Sequence, residues 1–181
     1  MKPLQGSIRP AVLWLTGLPA SGKTTLADSV AEELKKLSLP IERLDGDRMR
    51  ALFPGTGFSR KERNNHIQRA GYLASRLEQH GVFVVASFIS PYRESRDFVR
   101  RLCRNFIEIY VSTPLSECEH RDSKGLYQRA RRGEIQNFTG ISDPYEPPLR
   151  PDLEINTQKL TVEQATALVL STLEVPTGLS I

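Results

Sequence analysis

The chain has 181 residues, 39% hydrophobic and 25% charged, the proportions of one ordinary soluble domain that buries about 70% of its unfolded surface without disulfide or metal staples. Its 25 Lys+Arg against 21 Asp+Glu leave a charge of +4, carried by 18 arginines and 7 lysines, so an anionic partner suited to the guanidinium fork is expected. No apolar run approaches the roughly 20 residues of a membrane span, Met1 to Pro10 has no signal-peptide core, Cys103 and Cys118 lack CxxC or metal spacing and read as reduced cytoplasmic thiols, and His66, His80 and His120 form no zinc pattern.

Ala11–Thr16 is a continuous apolar run ending at Gly17, the pattern of a strand buried on both faces. Lys23 to Leu37 carries Leu26, Val30, Leu34 and Leu37 at helical spacing. Ile41–Leu44 predicts a second strand, running into Asp45-Gly46-Asp47. A longer helix is expected from Ser59 to about His80, opened by a capping box of Ser59 and Glu62. Val82–Phe88 predicts the third strand, Arg93–Arg104 a helix, Phe106–Val111 the fourth strand and Pro114–His120 a short helix.

Between Ser123 and Pro148 the apolar periodicity fails, and the length exceeds the usual connection of about 4–6 residues, so the segment is functional or disordered. Leu153–Thr157 predicts a fifth strand, and Thr161 with Gln164 a second capping box opening a helix to Leu173. Strands alternating with helices predict a single α/β domain over 1–181, with a mostly parallel five-stranded sheet flanked by helices.

Gly17-Leu18-Pro19-Ala20-Ser21-Gly22-Lys23-Thr24 matches GxxxxGK[ST] and joins a predicted strand to a predicted helix. Backbone N–H groups of such a turn cradle phosphates, the lysine reaches the β- and γ-phosphates, and the Thr24 hydroxyl ligates Mg²⁺. A purine nucleoside triphosphate with Mg²⁺ is the expected ligand. There is no NKxD guanine motif, and VFVVASF does not end in the Asp of a motor-type ATPase. The acids stand instead at Asp45 and Asp47. If strand geometry persists there, both carboxylates project to one side, beside the phosphate loop. The pattern points to a small-molecule kinase, with the acceptor left open.

Five further stretches narrow the reading: GLPASGKTT (Gly17–Thr25), DGDRMR (Asp45–Arg50), GFSRKER (Gly57–Arg63), SFISPYRESR (Ser87–Arg96) and ECEHRDSKGLYQRARRGEIQNFTGISDPYEPP (Glu117–Pro148). In this order, from Val12 to about Thr157, they resemble the adenylylsulfate (APS) kinase family. The resemblance implies a P-loop NTPase fold and the reaction of ATP with adenylyl sulfate to give ADP and 3′-phosphoadenylyl sulfate.

It implies an ATP site at Gly17 to Thr25 with Arg121, and an acceptor pocket of Asp47, Arg50, Phe58, Arg63, Ile89, Ser90, Lys124 and Phe138. Phe58 and Phe138 are placed to sandwich the acceptor's adenine, and Arg50 and Arg63 to hold its phosphosulfate. His66 stands where the family commonly has Asn and is kept as a ligand contact; Gln68 replaces a usual Arg, and Glu62 a usual Asp. The expected catalytic group is Asp47 with Lys23, Asp45, Lys124 and Ser90, the last as a positioning group rather than a phosphorylated intermediate. Ser123–Pro148 is expected to act as a mobile lid, with Arg121, Arg129, Arg131 and Arg132 over the polyphosphate.

A homodimer and a functional link to ATP sulfurylase are partnerships the resemblance allows, with no nucleic acid and no membrane. The competing readings are a gluconate, shikimate or nucleoside kinase, a polynucleotide-binding module, and a silent regulatory domain. Arg93, Arg96, Arg100 and Arg104 form the helical stripe that motivates nucleic acid; a solvated face is the simpler expectation.

Overall fold

A computed structural model of the chain describes residues 8–53 and 55–173. The segment read as lacking a signal peptide therefore lies outside the described residues as far as Ser7, as do the last eight positions of the expected domain. Five strands, β1 (Val12–Thr16), β2 (Ile41–Asp45), β3 (Phe83–Ser87), β4 (Phe106–Val111) and β5 (Leu153–Ile155), form one sheet in the order β2-β3-β1-β4-β5. Every pairing is parallel, with Val12 opposite Val84 on one side and Phe106 on the other.

Both faces of the sheet are covered, which is why β1 reads as uninterrupted apolar sequence. Leu13 and Leu15 face a cluster that includes Val30 and Leu34 of α1 (Lys23–Lys36) and Val169 of α7 (Val162–Ser171). Val12 and Trp14 point the other way, towards Ile67, Ala70 and Ala74 of α3 (Arg60–Gln79) and Val99 of α4 (Arg93–Leu102). Helices α3 and α4 meet at Gly71, where a Cβ would come within 2.3 Å of Val99 Cγ2. Only glycine permits that approach.

Both predicted capping boxes are present. Ser59 accepts from the Glu62 N–H while Glu62 reaches back to the Ser59 N–H, and Thr161 does the same with Gln164. Strand geometry does not persist through Asp45-Gly46-Asp47, contrary to expectation. Asp45 is the N-cap of a helix, α2 (Gly46–Leu52), and its Oδ1 accepts from the backbone N–H of Asp47 at 3.0 Å and of Arg48 at 3.3 Å. Two short helices follow β4, α5 (Leu115–His120) and α6 (Leu126–Arg131), the second inside the segment that sequence left without structure. The Asp122 carboxylate holds its start, accepting from the N–H of Leu126 at 2.8 Å and of Gln128 at 3.1 Å.

The arginine stripe on α4 is a solvated face only in part: Arg104 is exposed, but Arg96 and Arg100 turn to the sheet. Arg96 is 2% exposed and pairs with Glu108 of β4 at 2.8 Å, while Arg100 bridges Glu108 and Asp152. A charge in the middle of the apolar strand FIEIYV is what draws these guanidiniums inward, because a buried carboxylate needs a partner.

Candidate active site

The C-terminal ends of β1, β2 and β3 open into a cleft of about 710 Å³, the position where parallel α/β sheets bind ligands. One wall is the turn between β1 and α1, from Pro19 to Thr25. The facing walls are Asp45, Asp47 and Arg50 around α2, Phe58, Arg63 and His66 around α3, and Ser87 to Pro91 after β3. Arg121 to Lys124 and Ile135 to Thr139 close it from the side. The residues expected at the ATP site and acceptor pocket line this cleft except Gly17 and Leu18, whereas Arg129, Arg131 and Arg132, expected over the polyphosphate, do not. Gly17 instead forms the sharp exit from β1, at φ 154°, where a Cβ would sit 2.5 Å from the Val111 carbonyl oxygen.

The phosphate turn is preset by hydrogen bonds that the sequence motif does not contain. The Ser21 carbonyl accepts from the hydroxyls of Thr113 at 3.0 Å and Thr157 at 2.9 Å. Arg121 donates to Thr157 Oγ1 at 2.7 Å and to its carbonyl at 3.1 Å, and pairs with Glu117. Arg121 thus braces the turn from behind as well as lining the cleft. Lys23 Nζ curls back to the Leu18 carbonyl at 2.5 Å. Burial lowers its pKa to about 8, against the opposing pull of Cys118, Asp45 and Asp47. An ammonium held dry at the mouth of an anion nest gains most when a polyphosphate arrives.

On the facing wall the two acids differ. Asp45 is held on both oxygens, Oδ1 by the backbone of α2 and Oδ2 by the Ser87 hydroxyl at 3.0 Å. Asp47 is exposed, and its Oδ2 meets Lys124 Nζ at 3.1 Å across the cleft. An exposed carboxylate held by one surface ion pair is free to turn to an acceptor hydroxyl; the anchored one is not. Arg50 lies 4.5 Å from the Phe58 ring centre and donates to the Thr56 and Gly57 carbonyls. Phe58 is 54% exposed, which for an aromatic ring beside two guanidiniums is a ready stacking surface. Phe138 packs edge-on against Tyr127, and Tyr127 in turn donates to the Pro19 carbonyl at 3.0 Å, tying the side wall to the phosphate turn.

Arg63 is more committed than its expected role implies. It is buried, and it donates from Nε to the Phe58 carbonyl at 2.8 Å, from Nη1 to Thr139 Oγ1 at 2.9 Å and from Nη2 to the Asn137 carbonyl. Three of five N–H donors are committed, two of them to the side wall, leaving two for a ligand. His66 is 3% exposed, and neither ring nitrogen has a partner among the described residues. Burial first, then the Arg50 charge, lowers its pKa to about 4, so the ring is neutral at neutral pH. Arg129, Arg131 and Arg132 do not reach the cleft; they pair with Glu134 and Glu119 on the surface.

Ser90 sits in the left-handed region at φ 37°, a conformation that costs a non-glycine residue about 1–3 kcal/mol and recurs at functional sites. Its hydroxyl is 2.9 Å from Thr16 Oγ1 and accepts from Trp14 Nε1 at 3.2 Å, so it faces the interior. Sequence reading missed Thr113, Thr157, Tyr127 and Tyr145 as supports. Of these, Tyr127 and Tyr145 stood in a quoted motif, Thr113 and Thr157 in none.

The segment read as a lid divides in two. From Phe138 to Pro147 it is pinned: Tyr92 donates to Asp143 at 2.7 Å, the Arg93 N–H to Glu146 at 2.9 Å, and Arg96 to the Glu146 carbonyl at 2.7 Å. From 123 to 137 its links across the cleft are the exposed Lys124–Asp47 pair, the Tyr127 hydroxyl and the Arg63 bond to Asn137.

The profile of the adenylylsulphate kinase family matches residues 9–156. The chain is 47% identical over 167 residues to an adenylyl-sulfate kinase of Gloeothece citriformis, covering 92% of this chain and 95% of that protein. It is 49% identical over 163 residues to one of Halothermothrix orenii, covering 90% and 88%. Among solved structures, it is similar to the Mycobacterium tuberculosis APS kinase in complex with AMPPNP and APS. The TM-score is 0.85 at 37% identity, covering 91% of this chain and 99% of the other.

Proposed function

The chain belongs to the adenylylsulphate kinase family, and on that premise we propose how its cleft performs ATP-dependent phosphorylation of adenylyl sulfate. The γ-phosphorus breaks its bond to the β,γ-bridging oxygen and forms one to the ribose 3′-oxygen of adenylyl sulfate, whose proton leaves. The products are ADP and 3′-phosphoadenylyl sulfate. The observation that carries the reading is one cleft with a phosphate turn on one wall and an exposed carboxylate among arginines and an aromatic ring on the other.

The transition state of such a transfer is loose, so placement and charge neutralisation matter more than a strong base. Lys23 and the backbone N–H groups of residues 20–25 hold the triphosphate. Asp47 turns from Lys124 to the 3′-hydroxyl, orients it and accepts its proton, and the released Lys124 faces the transferring phosphoryl group. Arg50 supplies charge to the phosphosulfate, with the two uncommitted N–H donors of Arg63, while Phe58 and Phe138 stack on the acceptor's adenine. His66 offers a neutral ring to the same ligand, and the Ile89–Ser90 backbone forms the floor. Segment 123–137 closes over both nucleotides and keeps water out.

Magnesium fits the donors present. No group of three or more His, Cys, Asp or Glu side chains that could hold a metal exists among the described residues. Mg²⁺ retains water and takes few protein ligands, so the exposed Thr24 hydroxyl, with Asp45 through water, is a sufficient set beside two phosphates. When bound, the ion neutralises phosphate charge.

The arginine excess acquires a use here, with Arg50, Arg63 and Arg121 at the cleft and the others in ion pairs or at the surface. No described helix is long and apolar enough to cross a membrane. We place the enzyme in the cytoplasm as a homodimer of single-domain chains, supplied with adenylyl sulfate by ATP sulfurylase; the free thiols Cys103 and Cys118 suit a reducing compartment. The test is ADP release with ATP, Mg²⁺ and candidate acceptors. Adenylyl sulfate is expected to drive it; release driven by gluconate, shikimate or a nucleoside instead would overturn the reading.

A further inference from the structure

Thr16 is the last residue of β1, one position before Gly17, and its hydroxyl is the centre of a buried polar hub. Trp14 Nε1 donates to Ser90 Oγ at 3.2 Å, the Ser90 hydroxyl donates to Thr16 Oγ1 at 2.9 Å, and Thr16 donates to the Ile89 carbonyl at 2.8 Å. With the Thr16 proton spent on Ile89, the Tyr145 hydroxyl at 2.9 Å is the donor of the remaining bond. The Tyr145 ring lies 5.8 Å from the Arg96 guanidinium, which donates to the carbonyls of Ser90 at 2.6 Å and Glu146 at 2.7 Å. Trp14 and Thr16 are fully buried, and Ser90 and Arg96 are within 2% of it.

Three segments distant in sequence therefore meet at one oxygen: the entry to the phosphate turn, the floor of the acceptor side, and the pinned end of the lid. Every hydroxyl proton in the hub is engaged within it, and the Ser90 hydroxyl faces the interior. What the hub fixes is distance. We infer that Thr16 and Tyr145 are positioning residues that hold the phosphate turn in registry with the Ile89–Ser90 floor, so that the terminal phosphate of ATP and the accepting hydroxyl stand in line. The inference rests on the transfer reaction above. An in-line reaction is sensitive to misplacement of about 1 Å, and a misplaced acceptor leaves the phosphoryl group to water.

The test compares Thr16→Val, Thr16→Ser and Tyr145→Phe with the wild type for kcat, for KM towards each substrate, and for ADP formed per phosphorylated acceptor. Both Thr16→Val and Tyr145→Phe are expected to lower kcat by about tenfold or more. Their KM for ATP stays within about twofold, and they form more than one ADP per product as water takes the phosphoryl group. Thr16→Ser restores the one-to-one ratio. Folded variants with unchanged kcat and tight coupling would overturn the inference. So would a loss of ATP affinity with coupling intact, which reduces Thr16 to a brace of the phosphate turn. Should Thr16→Val fail to fold, Tyr145→Phe, which removes a single oxygen, decides the matter alone. A wild type without acceptor-dependent ADP release would instead refute the transfer reaction itself.

Discussion

Raising the pH of an ATP titration acts on a single buried group at the phosphate turn, the Lys23 ammonium. It is 8% exposed, and burial lowers its pKa from 10.5 to about 8. A triphosphate placed against Nζ favours the charged form and returns the pKa towards its ordinary value. Binding therefore takes up a proton in the window from about pH 8 to 10.5. At pH 9 about nine-tenths of the free chain carries neutral Lys23, so uptake approaches ~0.9 proton, falling to ~0.1 at pH 7. Apparent affinity weakens about tenfold between those two values, or ~1.4 kcal/mol. In the ligand-free chain the same shift makes the fold gain stability as pH rises through that window, because the unfolded chain retains the proton longer. The assay is titration calorimetry of ATP with Mg²⁺ at pH 9 in two buffers of different ionisation enthalpy. Heats that differ by ~0.9 of the buffer difference are expected, and Lys23→Met abolishes the dependence on buffer. Intact binding at pH 9 with a buffer-independent heat would refute the reasoning.

Asp47→Ala is expected to lower phosphoryl transfer by about 10²–10⁴-fold while ATP affinity, read by the same calorimetry, is kept; turnover near wild type would remove Asp47 from its assigned role. Ser90→Ala leaves the buried Trp14 N–H without its acceptor, so stability drops by about 1–3 kcal/mol in denaturant titration. Turnover persists at roughly a tenth of wild type or better, with no radiolabel from γ-labelled ATP on the protein. Abolished turnover together with a labelled wild-type serine would restore a phosphoserine intermediate. Hydrogen exchange should show protection of 123–137 rising when both nucleotides bind, with Phe138–Pro147 protected throughout; equal protection of 123–137 in both states would end its role as a lid.

What the sequence made legible was local. The phosphate turn, the two capping boxes and the doubly buried β1 each depend on neighbours within a few residues. Helix α2 escaped because Met49 is its one buried residue, so no helical period is written into it. The signal present was Asp45 as a cap, competing with an equally good reading as a strand end. The α4 stripe shows the opposite failure. Spacing placed Arg93, Arg96, Arg100 and Arg104 on one face but held no information about where that face points. Glu108 inside an apolar strand was the clue that Arg96 and Arg100 turn inward. Arg63 was placed at the cleft correctly, yet its bonds to Asn137 and Thr139 join residues more than seventy positions apart, which no local pattern encodes. The Thr16–Tyr145 contact, across 129 positions, is of the same kind.

In the proposed mechanism the two walls of this cleft hold a phosphoryl donor and adenylyl sulfate for direct transfer. The measurement that reaches it most directly is product identification after incubation with γ-labelled ATP, Mg²⁺ and adenylyl sulfate. Label is predicted on the 3′-oxygen of the acceptor, one for each ADP formed. Label appearing only in inorganic phosphate, or in another acceptor when several compete, would contradict it.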